Sequence, residues 1–442
     1  MNRSQQLGEE KVGKLLLKFS IPAMIGMLVN GLYNIVDRIF VGQGVGALAL
    51  SGIAISFPIT LVIMAFGMLI GIGATSVISI RLGQQNNEEA EQIVGNAFVL
   101  LLVVSMLISL LGYVFMDPLL LLFGTSGDVL PYAKDYLRVL LWGVVFQTIG
   151  FGMNNFIRAE GNPKIAMYSM ILGAVLNTIL NPIFIFVLHL GIAGSALATV
   201  IAQFVTAVWV LSYFLGKRAL LKLRLRNLKL RWVLVKDILA IGISPFSMQL
   251  VGSIITVLMN KALVNYGGDL SIAAMGIINS IIMLIFMPIF GIGQGAQPIF
   301  GYNYGARKYD RVKHTLKLAV IASTCVMVFG FLLVELFPVA IMTLFSTDKE
   351  LIRIGSNGMR IFLVMLPVIG VQVMAVNYFQ ATGKPRKALF LSMSRQLIIL
   401  GPMILILPRF LGLTGVWLAG PVSDLVSFAI TMLWLQKDIK QL

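Results

Sequence analysis

The residue of this sequence best placed to do chemistry is Asp37. It stands with Arg38 about 20 residues into the first long apolar run, a depth at which a carboxylate needs a counter-cation, a proton or hydrogen-bond donors. Asn177 and Asn181 are spaced i, i+4, so their amides share one helical face; Thr199 follows with a hydroxyl, and Tyr33 lies one turn before Asp37. A carboxylate with amide and hydroxyl oxygens suits a hard cation such as Na⁺, held by Asp37, Asn177 and Asn181. It equally suits a carboxylate whose proton affinity burial has raised, hence a proton carrier. Plainer readings stand beside these: a local Asp37–Arg38 ion pair, and Asn177, Asn181 and Thr199 as ordinary inter-helix hydrogen bonds. Neighbouring helix residues point in different directions, which weakens the ion pair.

The elements that must position these groups follow from composition. Of 442 residues, 58% are hydrophobic and only 12% charged, where a soluble protein draws about a quarter of its residues from the charged types. The mean hydropathy is +0.93. A soluble enzyme, a disordered chain and a disulfide scaffold are excluded, the last because Cys325 is the only cysteine. The chain therefore reads as an all-α integral membrane protein. Crossing ~30 Å of hydrocarbon takes roughly 20 apolar residues. Twelve stretches qualify: Leu15 to Phe40, Leu48 to Ile80, Ile93 to Phe115, Ala133 to Phe156, Ile165 to Leu188, Ile192 to Leu215, Ile238 to Val264, Ser271 to Phe300, Leu316 to Phe337, Ile354 to Phe379, Ala388 to Leu407 and Leu413 to Leu435. Met1 to Gly13 is polar and no cleavable signal precedes the first span, which can itself direct insertion.

The net charge of +16 would suggest nucleic acid in a soluble domain, but the basic residues sit in short loops between spans, so no nucleic acid is expected. Arg3, Lys11, Lys14, Lys18, Arg81, Arg158, Lys164, the Lys217 to Lys236 stretch, Arg307 to Lys317, Lys384 to Lys387, Lys437 and Lys440 share one face. The positive-inside bias makes that face cytoplasmic and places both termini there, in a bacterial-type plasma (inner) membrane. The basic stretch at mid-chain separates an N-terminal lobe (1–215) from a C-terminal lobe (237–442). The linker (216–236) reads either as a helix on the anionic leaflet, through Leu220, Leu223, Leu225, Leu228 and Trp232, or as a solvated topology determinant.

Sliding the chain against itself by about 222 residues brings the lobes into register. Arg158-Ala-Glu-Gly161-Asn-Pro163 meets Gln380-Ala-Thr-Gly383-Lys-Pro385, Gly191-Ile-Ala-Gly194 meets Gly412-Leu-Thr-Gly415, and Ile21-Pro22 meets Ser244-Pro245. Six is even, so the copies run the same way and relate by an axis along the membrane normal, which suits two lobes rocking about a shared interface. Near the place of Asp37-Arg38 the second lobe carries Asn260-Lys261, so the carboxylate is confined to the first. Elsewhere Arg395 and Asp424 offer a pair between the last two spans, and Arg360 and Glu335 lie at outer ends where snorkelling suffices. Pro22, below Tyr33 and Asp37, is the candidate hinge of the first span; a fixed kink is the alternative.

Neither a His-Glu-x-x-His zinc motif nor a Gly-x-x-x-x-Gly-Lys-Ser/Thr phosphate loop is present, so neither an enzyme nor an ATP-driven pump is expected. Taken in order, Ile21-Pro22, Asn34-Ile-Val-Asp37, the Arg158 to Pro163 turn, Leu176-Asn177-Thr-Ile-Leu-Asn181-Pro182, Gly191 to Thr199 and the Gln380 to Pro385 turn resemble the multidrug and toxic compound extrusion (MATE) family. The resemblance implies a two-lobed, 12-helix antiporter that expels cationic amphiphilic compounds in exchange for H⁺ or Na⁺ by alternating access. It implies a cation site at Asp37, Asn177, Asn181 and Thr199, a bending first helix at Pro22, no cofactor beyond the coupling ion, and small organic cations and the lipid bilayer as partners of a monomer. One group of the family has acidic residues on the seventh and tenth spans; Gln249 to Ser253 and Ile369 to Gln372 contain none, which favours the subgroup relying on the first-lobe Asp. A flippase for lipid-linked precursors in the same wider superfamily is the alternative, and would need a basic cavity. A major-facilitator carrier is disfavoured by the loop Arg81-Leu-Gly-Gln-Gln-Asn-Asn-Glu-Glu.

Overall fold

With no water in hydrocarbon to satisfy the backbone, long apolar segments must close their hydrogen bonds internally, and helices do so. The computed structural model describes residues 4–122 and 127–442; Arg3, counted above among the terminal cations, lies outside them. Twelve crossings follow, named here α1 (Val12–Gly44), α2 (Ala47–Gly83), α3 (Asn87–Val114), α4 (Leu130–Ala159), α5 (Pro163–Pro182, continued by a π turn Ile183–Val187) and α6 (Gly191–Leu215). The second lobe holds α7 (232–267), α8 (269–305), α9 (Tyr309–Leu336), α10 (Lys349–Leu363 and Leu366–Ala381, bent by 50°), α11 (385–411) and α12 (413–440). Positive φ angles at Gly268 (69°) and Gly412 (58°) turn α7 into α8 and α11 into α12. Pro367 opens the second piece of α10, where its missing N–H costs nothing and its ring ends the first piece.

The repeat is written into the backbone. Left-handed residues recur at the sequence offset: Gly46 with Gly268, Gln85 with Arg307, Gly161 with Gly383, and Gly191 with Gly412. Each ends or joins equivalent helices, so the same turn geometry was kept in both copies even where the residue is not glycine.

The lobes meet through small residues, which let backbones approach where hydrophobicity cannot drive helices together. A Cβ at Gly83 would strike the carbonyl oxygen of Tyr302, and one at Gly305 that of Ile80, the repeat-related contact. In the same way Gly73 meets Ile238 while Gly295 meets Ser20, and Gly242 meets Leu69 while Gly291 meets Met24. These contacts run along the terminal halves of α1, α2, α7 and α8, as far as the Phe66–Phe246 ring pair. A second apolar cluster, built around Val41, Ile53, Leu137, Leu141, Ile185 and Ala196, packs the far half of the first lobe by itself.

The terminal face carries most of the ion pairs and backbone clasps. Leu7, fully buried, presents its carbonyl to Asn303 Nδ2 (2.9 Å) and Arg311 Nη2 (3.1 Å), while Gln6 Nε2 donates to Gly161 O at 2.8 Å, so the short N-terminal helix Gln6–Glu9 touches both lobes. The mid-chain linker is not the surface helix that its leucines suggest. It is an extended strap with one 3-10 turn, Leu225–Leu228, because the first lobe supplies partners for its backbone. Glu160 accepts from Leu220 N and Leu221 N, both at 3.1 Å, and Arg231 N donates to Asn96 Oδ1 at 2.7 Å. At the far end Arg360 lies 3.8 Å from Glu335, an exposed pair.

Candidate functional site

Helix α1 runs unbroken through Pro22 and carries Asp37 into the far half of the first lobe. The carboxylate is 8% exposed. Its Oδ1 accepts from Asn181 Nδ2 on α5 and, at 2.8 Å, from Ser195 Oγ on α6. Arg38 is exposed, and among the described residues no ion pair joins it to Asp37. The local-pair reading fails for the reason the sequence offered, the divergence of adjacent helix side chains.

The other candidates fall into a second layer. Asn177 Nδ2 donates to Thr199 Oγ1 at 3.0 Å, and Thr199 Oγ1 donates to Ser195 O at 3.1 Å. Asn177 and Thr199 therefore reach Asp37 through Ser195 rather than by contact. Tyr33 makes no hydrogen bond to Asp37 among the described residues. It lines an apolar groove of about 240 Å³ between α1 and α5, with Val29, Val36, Ala174 and Thr178. Tyr136 of α4, buried, completes the surroundings within range of the Asp37 charge.

Ser195 is the residue that sequence reasoning missed. Its signal was available: Ser195 and Thr199 stand i, i+4 on α6, the spacing already used for Asn177 and Asn181 on α5. Placement of these helix ends is local chemistry. Gly191, with a positive φ of 58°, starts α6 beyond the three residues that follow the π turn Ile183–Val187, which carries α5 past Pro182 and keeps Asn181 turned toward α1.

One atom of this cluster stands out chemically. Asn181 Oδ1 is buried and, among the described residues, has no hydrogen-bond partner. A buried carbonyl without a donor costs about 1–3 kcal/mol. Among the described residues, no ion pair is made by the carboxylate beside it. An incoming cation would meet two oxygen types at once, and a proton on Asp37 could be donated to the bare amide oxygen. The donor set fits either.

Comparison with known sequences decides the family. The MatE profile matches residues 22–183 and 245–404, one stretch in each lobe and together well over half of the chain. The chain belongs to the MatE family. Among curated relatives it is 29% identical over 408 residues to the multidrug export protein MepA of Staphylococcus haemolyticus, covering 92% of this chain and 90% of the relative. Among solved structures it is similar to the MATE multidrug transporter DinF-BH, at 41% identity and a TM-score of 0.93, with 99% and 98% of the two chains covered. A MATE crystal structure in the bent conformation aligns with a TM-score of 0.94 at 28% identity, over 100% of this chain and 98% of that one. The expected twelve-helix, two-lobed architecture thus holds, and this MatE protein is a multi-pass membrane protein of a multidrug efflux transporter family.

Proposed function

We propose that this MatE protein is an efflux antiporter that exchanges amphiphilic organic cations for H⁺ or Na⁺ at Asp37. The observation that carries the reading is the buried carboxylate of Asp37 beside the amide oxygen of Asn181, which among the described residues has no donor, with no described cation ion-paired to either. Ion entry would occupy both oxygens, and release would leave a bare carboxylate held by Asn181 and Ser195. Because these groups lie on α1, α5 and α6, occupancy alters the coupling between α1 and its neighbours. Pro22, toward the terminal end of α1, is where the helix would bend as that coupling changes. The molecule works as a monomer in an inner membrane with its termini in the cytoplasm. The named multidrug transporters among its relatives support the substrate class.

The test is efflux from loaded cells and from proteoliposomes. Asp37→Asn should abolish ethidium efflux under an imposed gradient while the protein is still inserted and expressed. Efflux equal to the parent protein's would reject the site. Varying Na⁺ and pH gradients separately identifies the ion, and movement of lipid-linked sugars in place of organic cations would select a flippase.

A further inference from the structure

The lobes do not bury charge in the same place. In the register of the paired motifs, the counterparts of Asp37, Asn177, Asn181, Ser195 and Thr199 are Asn260, Ile399, Met403, Val416 and Gly420, none with a side chain able to hold a cation by charge. The second lobe's buried charge lies one turn away, where Gln372 on α10, Arg395 on α11 and Asp424 on α12 meet. Their first-lobe counterparts are Gly150, Gly173 and Gln203. There the crossing of α4, α5 and α6 is tight: a Cβ at Gly173 would come within 2.7 Å of Thr206 Oγ1, and one at Gly150 within 3.5 Å of Thr206 Cγ2. Two of the three positions are glycine in the first lobe and polar in the second, and the third changes from an amide to a carboxylate.

The polar version is built. Arg395 Nε donates to Asp424 Oδ1 at 2.6 Å, Gln372 Nε2 donates to the main-chain oxygen of Asp424 at 2.7 Å, and Ser423 Oγ donates to the main-chain oxygen of Arg395 at 2.6 Å. The π turn Ser394–Leu400 starts here, a distortion that recurs at functional sites. Asp424 is 4% exposed, whereas the Arg395 side chain keeps 25% of its surface open. Within a membrane span, the open part of a guanidinium belongs in the bundle interior or a water-filled cavity rather than in lipid.

What remains of the guanidinium is its terminal fork. Nε serves Asp424, and among the described residues no hydrogen bond is made by the two Nη groups. Such a fork takes a carboxylate through two parallel bonds. Gln372, 5% exposed, leaves its Oε1 without a donor, and so does Gln396, whose Oε1 faces α7 at Gly252. The cluster offers a cationic fork to an anion and bare oxygens to a donor.

We propose that Gln372, Arg395 and Asp424 form a second-lobe recognition site for the carboxylate of a transported zwitterionic amphiphile. Arg395 binds the carboxylate and Asp424 holds the guanidinium in place. This rests on the efflux reading above and adds a substrate class to it.

The experiment uses the full chain in proteoliposomes and two probes of one chromophore, an ester-capped rhodamine cation and its free-acid zwitterion. The parent protein should move both. Arg395→Met with Asp424→Asn, which removes both charges together, should lower the initial rate for the zwitterion at least tenfold and leave the cation within twofold. Arg395→Lys, which keeps the charge and loses the fork, should fall between the two for the zwitterion alone. Cation transport serves as the control for folding. The proposal is overturned if the parent protein moves the cation and not the zwitterion, if the double variant slows both probes equally, or if it slows neither. A parent protein that moves neither probe overturns the efflux reading as well.

Discussion

At the scale of single residues, the site turns on hydrogen bonds to one carboxylate oxygen. A bond to a charged group contributes about 1.5–3 kcal/mol. Ser195→Ala removes the donor at 2.8 Å that steadies the ion-free Asp37 carboxylate, and should tighten the apparent affinity for the coupling ion by roughly tenfold or more. Thr199→Val, which touches Asp37 only through Ser195, should shift it in the same direction by less than half of that on the logarithmic scale. Efflux rate measured against ion concentration for both variants checks the order, and a larger effect at Thr199 would place the ion in the Asn177–Thr199 layer. The sequence revealed Asp37 because an acidic residue in an apolar run is costly, and Asn181 because it shares a face with Asn177. It could not reveal that Asn177 turns to Thr199 instead, since two residues on one helical face still differ by a turn in depth. Ser195 stayed hidden because serine is common at helix contacts and nothing in its type sets it apart.

At the scale of elements, boundaries were legible wherever a residue has one physical use. Gly268 and Gly412 adopt φ angles of 69° and 58° in open space, with no atom within 4 Å of an added Cβ. Replacing either by Ala therefore tests backbone strain alone. About 1–3 kcal/mol is expected for an alanine forced into that region, because ψ angles of −173° and −138° put both residues where essentially only glycine goes, read as a drop of a few degrees in thermal unfolding in detergent. An unchanged midpoint in both would mean the turns relax. The surface-helix reading of the linker fails for the opposite reason: leucines and cations alternate as they would on such a helix, yet the backbone partners, Glu160 and Asn96, lie far off in the chain. The N-terminal segment was equally opaque. Glu10 sits next to it, where its hydrogen bond to Lys18, followed by that to Lys14, holds the carboxyl below its usual range. A carboxyl so lowered favours the docked segment above the ordinary carboxylate range and loses that contribution as pH falls through the lowered value. Hydrogen exchange of residues 6–10 should accordingly rise on strong acidification in the parent chain and show no such step in Glu10→Gln.

At the scale of the whole molecule, the repeat made the architecture readable from sequence, because motif pairs at one offset fix the number of crossings per lobe and their direction. It did not tell which end of the interface is closed. The structure places the close contacts between lobes on the terminal halves, with Gly83 against Tyr302 and Gly305 against Ile80 as symmetric partners. Alternating access requires that this seam open in each cycle, whereas a fixed scaffold would leave it shut. In a Cys325→Ser background, Ser76→Cys with Gln297→Cys places two thiols where a 2.9 Å side-chain hydrogen bond already joins α2 and α8 across the seam, and the only native cysteine no longer competes. Oxidation should join the lobes and stop efflux, and a reductant should restore it to the level of the unoxidised pair. The single-cysteine variants under the same oxidant should keep their rates, which separates cross-linking from damage to either helix. Quantitative cross-linking with transport undiminished would mean that the substrate path does not pass through this seam, and that the two lobes do not rock about it.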